Sequence, residues 1–150
     1  MSTHATASPY RLDSGDGEHL RFGEVEVLIK ASAESTGGAF TVFEENEPVD
    51  TPLHVHESED ELFYVLEGEH RIQVGDEELR AGPGDMVFAP RGVPHAQRRV
   101  IPRTGRLLVL TSPAGFEGFF RELAAAESAG ALGPEAYESA SRNYGVTWLE

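Results

Sequence analysis

The sequence predicts a single all-β domain with antiparallel strands, followed by short C-terminal helices. Apolar segments of strand length recur along the chain and are separated by turns that contain glycine. After Pro113 the apolar residues change to helical spacing. The length of 150 residues suits one domain, which buries about two thirds of the surface that its unfolded chain exposes.

We expect three parts along this domain. Residues 1–19 form a polar arm rich in Ser, Gly and Asp, and the part before Tyr10 is expected to be disordered. Residues 20–112 would form the β-barrel. Residues 113–150 would form helices and an edge strand packed on that barrel.

Short apolar or alternating segments mark the strands. In chain order they are residues 24–30, 39–44, 62–66, 70–74, 78–80, 87–89 and 106–111. Gly37-Gly38 separates the first two, and Gly75-Asp76 is typical of a hairpin turn. The continuous apolar run at residues 106–111 predicts a strand that is buried on both faces.

The C-terminal part changes to helical periodicity. One apolar helical face is expected to cap the barrel as part of its core, although it could instead line a substrate route; its members are Phe116, Phe119, Phe120 and Leu123. Pro134 at a first turn begins a second helix that runs to about Asn143 and ends before Gly145. Residues 146–149 could add an edge strand, with Trp148 packed on the barrel or against a second subunit.

Composition excludes several classes of partner. The chain has 26 acidic and 12 basic residues, and the formal net charge of −14 argues against binding to nucleic acid or anionic membranes. Cysteine is absent, so neither a disulfide framework nor a thiolate ligand is available. No segment has the length of an apolar membrane span, and the N-terminus lacks a signal-peptide core. We therefore expect a cytoplasmic protein.

Three histidines and a glutamate lie where turns and strands meet. His54 and His56 are two residues apart, so on a strand their side chains point to the same face. Glu61 follows after the acidic connection 57–60, which we expect to bring the chain back antiparallel and present the carboxylate to the same pocket. His95 follows a separate buried strand and a turn rich in proline and glycine.

This donor set indicates a site for one divalent transition metal ion. Three neutral imidazoles and a carboxylate suit iron, nickel, copper, manganese or zinc, and the sequence does not select among them. The simpler alternative is that the histidines are ordinary polar residues on strands. Other polar side chains are expected at the surface: His4, His19 and His70 as isolated histidines, and Glu57, Glu59 and Asp60 as a solvated acidic loop.

The same residues resemble the two cupin motifs. A histidine pair, a glutamate and a glycine match the first motif in His54, His56, Glu61 and Gly68; the second is matched by Gly84, Pro90, Gly92 and His95. The resemblance implies an antiparallel jelly-roll barrel that holds the metal with His54, His56, Glu61 and His95. The wider chain, roughly residues 18–148, resembles single-domain cupins of the quercetin 2,3-dioxygenase-like group, which are often homodimers.

Two motif positions depart from the usual cupin pattern. Pro48 stands where the first motif usually opens with glycine, and Arg99 where the second usually closes with asparagine. Neither position is a ligand. If the strand after His95 is regular, Gln97 and Arg99 point into the pocket with it, and the arginine would suit a carboxylate or enolate of a substrate. A salt bridge from Arg99 to a surface carboxylate is the alternative.

The resemblance implies a metal-dependent dioxygenase that acts on a flavonol, another electron-rich aromatic or a polyketide-like molecule. Four protein ligands leave two positions of an octahedral metal for a substrate oxygen and for water or dioxygen. Glu61 could also act as a general base, and Phe63 and Val65 would give the cavity its preference for flat, apolar substrates. A non-redox isomerase, cyclase or lyase and a binding protein without turnover are the alternatives. The partners would be a small-molecule substrate, dioxygen where the reaction is oxidative, and a second copy of the chain.

Overall fold

The computed structural model describes residues 7–150. The strands are β1 Glu18–Phe22, β2 Val25–Ala31, β3 Thr41–Asn46, β4 His54–His56, β5 Asp60–Glu67, β6 His70–Val74, β7 Glu77–Ala81, β8 Met86–Ala89, β9 His95–Arg99, β10 Arg106–Ser112 and β11 Val146–Trp148. The helices are α1 Ala33–Thr36, α2 Glu117–Ser128 and α3 Pro134–Asn143. None of these helices is long and apolar enough to cross a membrane.

The strands form two antiparallel sheets that enclose one core. The six-stranded sheet has the order β1-β2-β3-β10-β5-β8, and the five-stranded sheet has the order β11-β4-β9-β6-β7. Inward-pointing residues of both sheets meet in one apolar cluster, for example Phe43 and Val109 from the first sheet and Ile72 from the second. This architecture confirms the predicted all-β jelly-roll barrel with short C-terminal helices.

Most strand predictions are confirmed to within about two residues at each end. The sequence patterns did not reveal β1 or the short helix α1. The predictions of disorder before Tyr10 and of a surface position for His4 concern mainly residues 1–6, which lie outside the described residues. Residues 7–9 are exposed and irregular.

The connection between β4 and β5 differs from the prediction. We expected the two strands to be antiparallel neighbours, but β4 belongs to the five-stranded sheet and β5 to the six-stranded one. Residues 57–59 therefore cross from one sheet to the other. As a result Glu61 reaches the pocket from the wall opposite to β4.

Strand β10 is buried on one face, whereas the sequence predicted burial on both. Leu107 and Val109 are fully buried, but Leu108 and Leu110 on the other face are partly exposed. Helix α2 packs near β1 and helix α3 near β11, whereas Tyr64, Met86 and Phe88 on the outer side of β5 and β8 are exposed. The apolar run thus contains one core face and one apolar surface face.

His70 was predicted at the surface and is buried instead, with 3% of its surface exposed. Its Nε2 lies 2.9 Å from the carbonyl oxygen of Glu67. The ring packs so closely on Gly105 that an added Cβ at that glycine would come within 2.7 Å of the ring. His19, in contrast, is exposed as expected.

The C-terminal elements form as predicted. α3 begins with Pro134 and ends at Asn143, before Gly145 in the left-handed region with φ 67°. β11 then pairs antiparallel with β4, so that Trp148 is opposite His54. The C-terminal strand therefore reaches the part of the barrel that holds the histidine pair.

Candidate metal centre

The three predicted histidine ligands meet inside the barrel. His54 and His56 point inward from β4, and His95 at the start of β9 is the register partner of His54. Each is at most 7% exposed, and the ring of His54 lies 4.4 Å from that of His95 between centroids. One ligand atom from each imidazole can be chosen so that all lie within 4.8 Å of one another. Three buried histidines could therefore hold a metal ion.

Glu61 completes the cluster from the opposite sheet. Its Oε2 lies 2.8 Å from Nε2 of His95 and 3.3 Å from Nε2 of His56. The side chain is buried, with 6% of the residue exposed. The structure thus brings together all four residues that the sequence predicted as ligands.

Buried polar atoms at this cluster test whether a cation fits. Oε2 of Glu61 and Nδ1 of His95 are buried without a hydrogen-bond partner among the described residues. A buried acceptor without a partner is costly, and a cation would satisfy Oε2. The nitrogen and oxygen donors also match the preferences of first-row divalent metals. The four side chains of the cluster are therefore suited to hold a divalent metal ion.

Hydrogen bonds to the outer ring nitrogens set the tautomers of two histidines. Nδ1 of His54 donates to the carbonyl oxygen of Pro52 at 2.6 Å. Nδ1 of His56 donates to Oε1 of Glu59 at 2.8 Å. With the proton on Nδ1, the lone pair of Nε2 is free to bind a metal in each ring.

Burial and neighbouring charges hold His54 as the neutral imidazole and Glu61 as the carboxylate, the forms in which each can bind a metal ion. Burial, with the neighbouring His95 and His56, lowers the pKa of His54 to about 4, so this imidazole is neutral at pH 7. Burial raises the pKa of Glu61, but His56, His95 and His54 outweigh it and hold the pKa at about 2. For His56, burial favours the neutral ring, yet Glu61 and Glu59 raise its pKa overall.

Glu59 corrects the prediction of a solvated acidic loop. It is only 7% exposed and holds the outer nitrogen of His56. Its neighbours behave as expected: Glu57 is exposed and accepts a hydrogen bond from Thr147, and Asp60 pairs with Arg91 at the surface. The placement of Glu59 three residues after a candidate ligand was a signal that the sequence reading did not use.

A small cavity of about 80 Å³ adjoins the cluster. Its wall consists of Phe43, Glu45, Thr51, His54, His56, Glu61, Phe63, His95, Gln97, Phe116, Phe119, Phe120, Val146 and Trp148. Phe63 and Gln97 were predicted to line the pocket, and the structure places both there. The size is well below the 300–1,000 Å³ that is usual for sites of drug-sized ligands.

Val65 and Arg99 lie elsewhere than we expected. Val65 is 1% exposed and packs in the core as the register partner of Leu107, away from the cavity wall. Arg99 has the right parity but lies at the end of β9, where Asp50 from the connection between β3 and β4 accepts its backbone N–H at 2.8 Å. The guanidinium lies 3.6 Å from the same carboxylate. This arrangement matches the surface salt bridge that was the alternative for Arg99.

Aromatic rings form one side of the cavity. The helix face predicted to be either core or the lining of a substrate route is both core and cavity wall. Phe116, Phe119 and Phe120 belong to the core cluster and also line the cavity. Phe116 packs edge-on against His56, with ring centroids 4.6 Å apart. The Trp148 ring lies 5.0 Å from that of His54, and its indole N–H donates to Ser141 at 2.7 Å.

Glu45 is a cavity residue that the sequence reading missed. It points inward from β3, where Thr41 and Phe43 are the other inward residues. Its Oε2 accepts a hydrogen bond of 2.7 Å from Nε2 of Gln97, which also donates to the carbonyl oxygen of Val49 at 3.0 Å. The strand alternation around Phe43 was the available signal.

Comparison with known proteins places this geometry in a family. The family model described as Cupin domain matches residues 40–110, which include all four residues of the cluster. Quercetin 2,3-dioxygenase from Bacillus subtilis (strain 168) is 35% identical over 119 residues, which are 78% of this chain. The match covers only 35% of the Bacillus enzyme, so the chain spans about a third of that relative's length.

Solved structures agree on the fold. The polyketide cyclase RemF from Streptomyces resistomycificus is 26% identical with a TM-score of 0.58, covering 69% of this chain and 79% of that one. An RmlC-like cupin from Shewanella frigidimarina has the same TM-score of 0.58 at 20% identity, covering 73% and 96%. Both motifs, the barrel and these relatives lead to one conclusion: the chain belongs to the cupin superfamily.

Proposed function

We propose that this protein is a mononuclear metal-dependent enzyme, and that it is a dioxygenase of electron-rich aromatic or enol substrates. The observation that carries the proposal is the buried Glu61 Oε2, which lies within 3.3 Å of two imidazole Nε2 atoms and lacks a hydrogen-bond partner in residues 7–150. His54, His56, Glu61 and His95 would be the ligands. The similarity to the Bacillus quercetin dioxygenase supports the type of reaction.

Each side chain has a definite part in such a reaction. A bound divalent ion would act as a Lewis acid that lowers the pKa of a substrate hydroxyl. Glu61 can accept the hydroxyl proton as a general base because its carboxylate is ionised at neutral pH. Phe63 and the rings of Phe116 and Phe119 exclude water and pack against a flat substrate.

Cavity size bears on the substrate. A volume of about 80 Å³ holds a few water molecules and is smaller than a flavonol. Turnover of a flavonol therefore requires the aromatic wall to move, and Trp148, which is 37% exposed, stands at its outer side. A compact enol or phenol would need less movement.

A non-redox reaction is the second candidate, favoured by the likeness to the polyketide cyclase RemF. A cyclase, isomerase or lyase would use the same ligands and would not consume dioxygen. Oxygen uptake with quercetin, measured on protein loaded with each of iron, nickel, copper, manganese and zinc, separates the two. Substrate loss that continues under anaerobic conditions would support the non-redox reaction.

Elemental analysis tests the metal site itself. We expect about one metal ion per chain in the purified protein and loss of that ion in the double variant His54→Ala/His56→Ala. The control is His19→Ala, because His19 is exposed and remote in sequence from the cluster. Full metal content in the double variant would refute the site.

A homodimer is also part of the proposal. Tyr64, Met86 and Phe88 are between 39% and 55% exposed and lie on the outer face of β5 and β8. Leu108 and Leu110 of β10 continue this face. An apolar sheet face of this kind is a typical protein interaction surface, and the second copy would cover it without touching the metal centre.

A further inference from the structure

Glu45 is the ionisable residue of the cavity wall that the proposed ligand set does not use. It lies on β3 of the six-stranded sheet, whereas the three histidines come from the other sheet. Its register partners on the adjacent strands are Val27 and Leu107, both apolar and buried. A carboxyl group among these residues loses solvation, which costs free energy unless hydrogen bonds compensate for it.

The contacts of Glu45 hold it in one orientation. Gln97 donates one amide hydrogen to Oε2 of Glu45 and the other to the carbonyl oxygen of Val49. The Gln97 amide is thereby fixed on both sides, and it fixes the carboxyl in turn. Glu45 hydrogen-bonds to Gln97 and not to a candidate ligand, so its position does not depend on them.

The groups around Glu45 favour its neutral form. Burial is the largest effect and raises the pKa to about 7; the Gln97 hydrogen bond opposes this shift and the charge of Glu61 adds to it. The ionisable groups that share the cavity from the other elements are Glu61 on β5, His54 and His56 on β4, and His95 on β9. A carboxylic acid and its carboxylate are therefore both accessible close to pH 7.

We infer that Glu45 is an acid-base catalytic residue of the cavity, which donates a proton to a second oxygen of a substrate bound at the proposed metal centre. This role rests on the proposed function, because it needs a substrate activated at the metal centre. As the substrate anion forms, its charge spreads to a second oxygen. Glu45 first donates a hydrogen bond to that oxygen and then transfers the proton: the O–H bond of Glu45 breaks, a substrate O–H bond forms, and Glu45 is left as the carboxylate. Proton return from the product or from water restores the acid.

Two carboxyl groups would then divide the proton transfers. Glu61 would accept the proton of the substrate hydroxyl, as proposed above, and Glu45, whose carboxyl group is held by Gln97, would donate one. Glu61 and Glu45 both line the cavity, but their surroundings differ. Imidazoles surround Glu61, while apolar residues and an amide surround Glu45.

The test compares Glu45→Gln with Glu44→Gln. Glutamine keeps the size and a hydrogen-bond donor but cannot transfer a proton, and its amide oxygen can still accept from Gln97. Glu44 is the neighbour on β3 whose side chain faces the outside of the barrel. We expect Glu45→Gln to keep its metal and to lose about 100-fold in kcat with quercetin, while its KM changes little and the pH-rate limb near neutrality disappears. Glu44→Gln should match the wild type.

A second readout does not depend on turnover. In protein with carbon-13 in the glutamate side-chain carboxyls, one resonance should titrate near pH 7 and be absent from Glu45→Gln. Titration of that resonance near the ordinary value of 4.5 would overturn the inference, as would wild-type kcat and pH profile in Glu45→Gln. If the wild type binds metal but does not consume quercetin, the proposed reaction fails and the catalytic role of Glu45 fails with it. If the wild type consumes quercetin and Glu45→Gln does so equally well, only the role of Glu45 fails.

Discussion

Nδ1 of His56 lies 2.8 Å from Oε1 of Glu59, and both side chains are buried. The carboxylate can only accept, so it holds the proton on Nδ1 and turns the lone pair of Nε2 toward Glu61 and His95. Carboxylates in this position orient a metal-binding imidazole and raise its basicity. Glu59 is thus a positioning residue for the proposed metal site.

Replacement of Glu59 by glutamine should weaken metal binding without removing a ligand. We expect zinc affinity to fall about 10-fold to 100-fold, because the neutral amide no longer stabilises the oriented, electron-rich imidazole. Competition with a chromophoric chelator measures the affinity. Glu57→Gln, at an exposed position of the same connection, is the control and should bind zinc as the wild type does. Equal affinities in both variants would show that Glu59 has only a structural role.

The change Glu61→Gln should affect catalysis more than metal affinity. The amide oxygen can still contact the metal, but glutamine cannot take up a proton at pH 7. We expect kcat with quercetin to fall about 100-fold and zinc affinity to fall by a clearly smaller factor. Steady-state kinetics and the same chelator competition give the two values. Losses of equal size would make Glu61 a ligand without a proton-transfer role.

The residues of the cluster could be predicted from the sequence because spacing, turns and motif positions along the chain mark them. The two-residue spacing of His54 and His56 sets a common face whatever the register, and the turn before His95 ends a recognisable strand. The same logic placed Phe63 and Gln97 on the cavity wall. Strand parity therefore predicts which face a residue occupies, and together with the two cupin motifs it indicated the four residues that meet in the cluster.

Strand parity could not predict to which sheet a strand belongs, how deep a residue lies in the core or which distant residue it contacts. β4 and β5 belong to different sheets, which no local pattern reveals, and Val65 shares the parity of Phe63 yet lies deeper in the core. The burial of Glu59 and His70 depends on the approach of distant segments. Only the folded register shows that Asp50 meets Arg99.

Substitution of Arg99 by methionine should leave catalysis unchanged. The guanidinium pairs with Asp50 at the surface, with 29% and 53% of the two side chains exposed, and it does not line the cavity. We expect KM for quercetin within about twofold of the wild type and a stability change of at most about 1 kcal/mol. Asp50→Asn is the matched variant and should behave alike. A large rise of KM in Arg99→Met alone would restore a substrate-binding role.

Introduction of a charge on the outer sheet face should dissociate the proposed dimer. Phe88 is 50% exposed at the edge strand β8, and a glutamate there would be desolvated in a dimer interface. Sedimentation velocity should show a dimer for the wild type and a monomer for Phe88→Glu. Ile101→Glu, at a residue that is 60% exposed in a loop, should remain dimeric. A wild-type monomer at micromolar concentration would contradict the dimer.

Glu45 should also make stability depend on pH in the metal-free protein. Its pKa is raised from 4.5 to about 7 by burial, so between these values the folded state binds a proton that the unfolded state has released. The stabilisation from the neutral carboxyl is complete below pH 4.5 and is lost as the pH rises through 7. The free energy of unfolding changes by at most about 1.4 kcal/mol per pH unit, and the total change is on the order of 3 kcal/mol at most.

Urea unfolding in chelator at about pH 5, 6, 7 and 8 should show this contribution as a difference between the wild type and Glu45→Gln. Glu44→Gln should follow the wild type, and parallel pH curves for all three proteins would mean that Glu45 titrates in the fold as it does in the unfolded chain.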